Sequence, residues 1–128
     1  MEKRIFTVLF IAVFATMLGI GIIEPFMGIY AESLGANGLL IGLIFGSFTL
    51  SRAIFTPFIG RISDFKGRKN LLLVGLSGYT ILSFFYAGAV TITSLITIRF
   101  LHGLASAMVL PIAMAYIGDI SPKNQEGK

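Results

Sequence analysis

The chain contains no cysteine and has a single histidine. It can therefore form neither a disulfide framework nor a thiolate metal site, and one histidine cannot hold zinc alone. Charged residues are also scarce, at 12% of the 128 residues, whereas soluble domains carry about 25%. Hydrophobic residues make up 55%, and the mean hydropathy is +0.90. This composition predicts a protein that lies in a lipid bilayer.

Four apolar segments predict an all-α membrane protein, because about 20 apolar residues suffice to cross a bilayer as a helix. The predicted transmembrane helices are 5–30, 39–60, 71–90 and 95–118. A charged cytoplasmic loop is expected over 61–70, a tight turn at 91–94 and a polar cytoplasmic tail over 119–128. The first uncharged run, 5–23, is longer than the core of a signal peptide, which is about 7–15 residues.

The basic residues predict the orientation. Those outside the helices all lie on one side of the membrane, and the two opposite loops have none; they are Lys3, Arg4, Arg61, Lys66, Arg68, Lys69, Lys123 and Lys128. The positive-inside rule then places both ends of the chain and the 61–70 loop in the cytoplasm. We expect a multi-pass protein of the plasma (inner) membrane. This distribution also explains the net charge of +4 without a nucleic-acid partner.

The segment from Gly60 to Lys69 reads GRISDFKGRK. Glycine permits a tight turn between packed helices, and Arg68 lies four residues after Asp64, a spacing at which the two can pair. A generic basic loop would also follow the positive-inside rule. The segment nevertheless resembles the signature G-x-L-x-D-R-x-G-R-K, which the major facilitator superfamily (MFS) carries between its second and third helices. The matching residues are Gly60, Asp64, Gly67, Arg68 and Lys69; Phe65 replaces the usual arginine.

Two further segments resemble drug-antiporter branches of that superfamily. Residues 19–25 match the first-helix pattern G-x-G-x-x-x-P, and residues 99–107 are similar to the fourth-helix pattern R-x-x-Q-G-x-x-x-A, with His102 in place of glutamine. The resemblance implies that Asp119 joins Asp64 and Arg68 in a charge relay that switches conformation. It also implies that these helices belong to the N-terminal half of a twelve-helix transporter, whose site lies between two six-helix halves.

Three charged residues lie within the predicted helices: Glu24, Arg52 and Arg99. Each costs about 2.5–3.5 kcal/mol on insertion scales, so such residues usually face a bundle interior or a water-filled cavity. They are candidates for substrate binding or proton coupling. Glu24 and Arg99 lie at a similar depth and could pair. Each has a structural alternative. Glu24 could be a solvated residue near the outer membrane surface, Arg99 could belong to a structural ion pair, and Arg52 could donate hydrogen bonds to backbone carbonyls. The nearby His102 could be a polar residue packed in the bundle.

The sequence thus predicts a secondary active transporter of the MFS, acting in proton-coupled efflux of small molecules such as drugs. It needs no cofactor, and its partners are the substrate, protons, the bilayer and further helices of the parent transporter. We expect a truncated N-terminal fragment. An enzyme is not expected, since no nucleophile–base pair, metal set or phosphate loop is evident. The alternatives are a four-helix multidrug exporter acting as a homodimer, which the one-sided charge disfavours, and a non-transporting membrane fragment.

Overall fold

The computed structural model describes residues 2–121, which form four long helices. These are α1 (Glu2–Ser33), α2 (Gly38–Lys66), α3 (Arg68–Phe85) and α4 (Ile92–Ile120), and a single 3-10 turn at Tyr86–Gly88 extends α3. The described part of the chain contains no β-strand. All four helices are long and apolar enough to cross a membrane. The predicted all-α architecture is confirmed.

Helix α4 is the centre of the bundle and packs along both α2 and α3, whereas α1 contacts it over a smaller area. Two apolar clusters lie between the helices. One contains Leu9, Ile59, Leu72, Ala107, Val109, Ile112 and Ala113. The other contains Met27, Ala31, Ile44, Ala89 and Leu95. Many large apolar side chains elsewhere point outward, as expected for helices whose solvent is lipid or further helices.

Glycines on α3 and α4 let the neighbouring helices come close. A Cβ atom added at Gly103 would collide with the carbonyl oxygen of Phe48 and would lie 3.0 Å from the Cβ of Ser51, both on α2. A Cβ atom added at Gly75 of α3 would lie 2.6 Å from the Cβ of Met108 on α4. Close backbone contact of this kind replaces the hydrophobic drive that lipid does not supply.

The junction between α2 and α3 differs from the predicted 61–70 loop, because both helices continue into the charged segment. Gly67, with φ of +89°, is the residue that separates them, and its N–H donates to the Ser63 carbonyl at 3.0 Å. Helix α3 therefore begins at Arg68. Gly60, which the sequence suggested as part of a turn, lies inside α2, where an added Cβ would meet no atom within 4 Å.

The segment 91–94, predicted as a turn, instead begins α4. The Thr91 hydroxyl accepts from the Ser94 N–H at 3.2 Å, and the Ser94 hydroxyl accepts from the Thr91 N–H at 3.2 Å. This reciprocal capping satisfies two backbone donors that would otherwise lack partners at a helix start. At the other end, α4 continues through Asp119 to Ile120. The rest of the predicted tail, with Lys123 and Lys128, lies outside the described residues.

Candidate functional site: a charge cluster and a buried polar cluster

At one end of the bundle, α1 begins, α2 ends, α3 begins and α4 ends; we call it the basic end, after Lys3, Arg4, Arg61, Lys66, Arg68 and Lys69. Here Arg68, the first residue of α3, contacts a carboxylate on each of two neighbouring helices. Its Nη2 lies 3.1 Å from Oδ1 of Asp64 on α2. Its Nε pairs with Oδ2 of Asp119 on α4, and its Nη2 lies 3.4 Å from the other oxygen of Asp119. We call these three residues the Arg68 charge cluster.

The local fold explains this arrangement. Gly67 alone separates α2 from α3. Arg68 is therefore only four residues after Asp64, although it belongs to the next helix. The Arg68 side chain is 21% exposed, while those of Asp64 and Asp119 are 60% and 54% exposed. Pairs this exposed contribute about 0–1 kcal/mol each to stability. The cluster is therefore suited to forming and breaking rather than to holding the bundle together.

A cavity of about 420 Å³ adjoins the Arg68 charge cluster. Its wall includes all three charged residues together with Lys69, Asn70 and Tyr116, among others. Lys69 is exposed there, and the ion pairs found within residues 2–121 do not include it. In the same part of the chain, no group of three or more His, Cys, Asp or Glu side chains is placed to hold a metal ion.

A second set of polar side chains is enclosed by α2, α3 and α4, nearer the opposite end of the bundle. This buried polar cluster consists of Ser51, Tyr79, Tyr86, Arg99 and His102. Arg99 and His102 are each only 2% exposed. The Tyr86 hydroxyl shares a hydrogen bond of 3.0 Å with His102 Nδ1, and the Tyr79 ring centre lies 3.9 Å from that of His102.

Arg99 is held mainly by aromatic rings. Its guanidinium carbon lies 5.2 Å from the ring centre of Phe45 and 5.5 Å from that of Phe48, both on α2. Such cation–π contacts stabilise a desolvated cation by about 2 kcal/mol. However, Arg99 Nε and Nη2, His102 Nε2 and Ser51 Oγ are buried without a hydrogen-bond partner among the residues that the structure describes. Native proteins rarely leave so many buried polar atoms unpaired, and functional sites are where they do.

The other two intramembrane charges form no ion pair with Arg99 among the described residues. Glu24 is exposed on α1, and Arg52 is half-buried on α2, where its backbone carbonyl accepts a bond of 2.6 Å from the Thr56 hydroxyl. The considered Glu24–Arg99 pair is not formed: the ion pairs within residues 2–121 are those of Arg68. The physical reason is the packing of α4, whose Arg99 side points at α2 and α3 rather than at α1.

Sequence reasoning missed the partners of Arg99 and His102. A signal was present in the third apolar segment, where Tyr79 and Tyr86 are seven residues apart, a spacing that places two residues on one face of a helix about two turns from each other. A polar aromatic stripe in an otherwise apolar span indicates a face that meets other polar groups. Nothing in the sequence indicated that Phe45 and Phe48 would be the rings over Arg99.

Comparison with protein families matches residues 9–128 to the Major Facilitator Superfamily. An MFS-type transporter of Methanocaldococcus jannaschii is 41% identical over all 128 residues. The quinolone resistance protein NorA of Staphylococcus aureus is 35% identical over the same residues. The chain spans about one third of the length of these relatives, since it covers 33% of each. The resemblance found in the three sequence segments is thereby confirmed: the chain belongs to the major facilitator superfamily of membrane transporters.

Proposed function

We propose that these four helices act within a secondary transporter that exports small molecules in exchange for protons. The observation that carries the proposal is the Arg68 charge cluster, in which one guanidinium joins the ends of α2, α3 and α4. The similarity to a quinolone resistance protein supports a drug-like substrate. The remaining helices of the parent transporter, the bilayer and protons are the partners.

The Arg68 charge cluster acts as the conformational switch. The basic end of the bundle, where this cluster lies, faces the cytoplasm at the inner (plasma) membrane in this proposal, in agreement with the one-sided distribution of lysine and arginine. In one state Arg68 binds both Asp64 and Asp119 and so links the neighbouring ends of α2, α3 and α4. In the other state one of these exposed pairs opens, which costs little because each contributes about 0–1 kcal/mol. Gly60, Gly67 and Lys69 complete the switch segment.

Coupling to protons and substrate involves Glu24, Arg52 and Arg99. Arg99 is a buried cation with unpaired nitrogens, so an anionic or carbonyl group that reaches it during the transport cycle would be bound strongly. Glu24 is exposed on α1 and is accessible to a cationic substrate or a proton. Arg52, half-buried on α2, lies on the same helix as the rings over Arg99.

The test uses the complete reading frame that contains these residues, expressed in bacteria from which everted vesicles are prepared. An imposed proton gradient is followed with a pH-sensitive dye, and a quinolone is then added. We expect quinolone uptake into the vesicles to require the gradient and to dissipate it. In Glu24→Gln, uptake and its pH dependence are expected to weaken. Quinolone movement that is indifferent to the gradient, or no quinolone movement at all, would contradict the proposal.

A further inference from the structure

The buried polar cluster contains four side-chain atoms without a hydrogen-bond partner among residues 2–121: Arg99 Nε and Nη2, His102 Nε2 and Ser51 Oγ. Arg99 and His102 are about one turn apart on α4. A Cβ atom added at Gly103, the next residue, would lie 3.0 Å from the Cβ of Ser51 on α2. The three side chains, each at most 2% exposed, therefore lie within about one helical turn of each other at the α2–α4 contact.

All four atoms can act as hydrogen-bond donors. The guanidinium nitrogens of Arg99 can only donate, and the Ser51 hydroxyl can rotate to donate. His102 Nε2 also donates when the Tyr86 hydroxyl donates to Nδ1, because the proton of the neutral ring is then on Nε2. A water molecule could accept two of these bonds, but its own two hydrogens would find at most the Ser51 oxygen as an acceptor. An occupant that only accepts hydrogen bonds fits this set better.

The positive charge of Arg99 has no carboxylate partner in the described part of the chain, where the ion pairs are those of Arg68. The rings of Phe45 and Phe48 stabilise the cation but offer its N–H groups no lone pair. Buried charges in proteins are usually paired. Further helices of the parent transporter can only cover Arg99 more, since it is already 2% exposed, so a counter-ion that is present in this state must be small.

We propose that Arg99, His102 and Ser51 bind one small monovalent anion, which is chloride in the cell. Chloride accepts several hydrogen bonds and donates none, and its charge compensates that of Arg99. This inference rests on the role of Arg99 in the proposed function, that of a buried cation that receives an anionic or carbonyl group, and it adds that an inorganic ion fills this role in the absence of substrate. Binding is measured without substrate or proton gradient, so its failure can be distinguished from a failure of transport.

The test is equilibrium dialysis of the complete transporter in detergent against radioactive chloride, at a constant ionic strength set with gluconate, a larger anion. We expect Arg99→Met to bind one chloride fewer than the parent. Arg61→Met, which removes a cation at an exposed position on α2, is the matched control and should bind as the parent does. Arg99→Lys keeps the charge but loses the planar set of donors, so its affinity should fall about tenfold.

A second pair of variants tests the hydroxyl ligand. Ser51→Ala should bind chloride about tenfold more weakly, as expected when a hydrogen bond to a charged group is lost. Ser47→Ala, one turn earlier on α2, is its control, because the Ser47 hydroxyl already donates to the Ile44 carbonyl at 2.9 Å. No chloride on the parent, equal chloride on the parent and Arg99→Met, or equal affinities of the two serine variants would each overturn the proposal. A parent that binds chloride but moves no quinolone would contradict the proposed transport and leave this site standing.

Discussion

Gly103 determines how closely α2 and α4 approach, because any side chain there would meet the Phe48 carbonyl oxygen. We expect Gly103→Ala to destabilise the chain by about 1–3 kcal/mol, as overpacking of a dense contact does. The control is Gly46→Ala on α2, where an added Cβ has no neighbour within 4 Å. Thermal unfolding in detergent, followed by circular dichroism, measures both. Equal midpoints for the two variants would show that the α2–α4 contact can relax.

Arg99 is a buried cation, and if it serves the proposed coupling rather than stability, its removal should not destabilise the chain. Replacing buried, poorly paired charges with apolar residues of similar size is often neutral or stabilising, by about 1–4 kcal/mol. Since Arg99 Nε and Nη2 lack partners in the described part of the chain, we expect Arg99→Met to unfold at the same or a higher temperature than the parent.

Arg61→Met, at an exposed position on α2, serves as the control for Arg99→Met and should change little. A clear loss of stability in Arg99→Met, with Arg61→Met unchanged, would assign the Phe45 and Phe48 contacts a mainly structural purpose. The same melting measurement in detergent decides between the two outcomes.

At this scale the sequence revealed only part of the two clusters. The Arg68–Asp64 pair follows from a spacing of four residues, whereas the place of Asp119 rested on family resemblance, because 51 residues separate it from Arg68. The Tyr86–His102 bond could not be predicted, since it depends on how α3 rotates against α4. The considered Glu24–Arg99 pair shows the same limit: similar depth does not fix the direction in which a helix faces.

The junction of α2 and α3 is a single residue, Gly67, whose φ of +89° and ψ of 134° suit glycine almost alone. We expect Gly67→Ala to cost about 1–3 kcal/mol of backbone strain and to lower the unfolding temperature accordingly. Gly60→Ala is the matched control, since Gly60 lies in regular helix with open space around it and alanine favours helix. If both variants melt alike, the junction tolerates other backbone conformations.

The helices themselves were predictable, but their ends were not. Hydropathy indicates where a chain leaves lipid, and the three charged residues within 61–66 predict that it leaves there. A helix nevertheless continues as long as its backbone hydrogen bonds can form, so α2 extends to Lys66 and stops where Gly67 adopts a positive φ. Helix α4 likewise begins at Ile92, earlier than the predicted residue 95, because Thr91 caps its first turn.

The whole molecule has one strongly basic end, which predicts its orientation in the membrane. The natural absence of cysteine makes this directly testable with single substitutions. Asn37→Cys lies in the exposed α1–α2 loop, and Lys66→Cys lies at the exposed end of α2. In intact cells a membrane-impermeant maleimide should label only Asn37→Cys, and permeabilised cells should label both. Labelling of Lys66→Cys alone in intact cells would reverse the topology.

The Arg68 charge cluster is proposed to control the transition between inward- and outward-facing states, and transport by the complete protein tests this most directly. Quinolone efflux is measured for the parent, for Asp64→Asn and for a control, Glu32→Gln. The control also removes one acid, but at an exposed position at the end of α1 that lies away from the basic end. At equal amounts in the membrane, we expect Asp64→Asn to lose about fivefold of its transport rate, as expected when the loss of an exposed pair shifts a switch equilibrium by about 1 kcal/mol. Glu32→Gln should match the parent. Parental efflux in Asp64→Asn would contradict the switch.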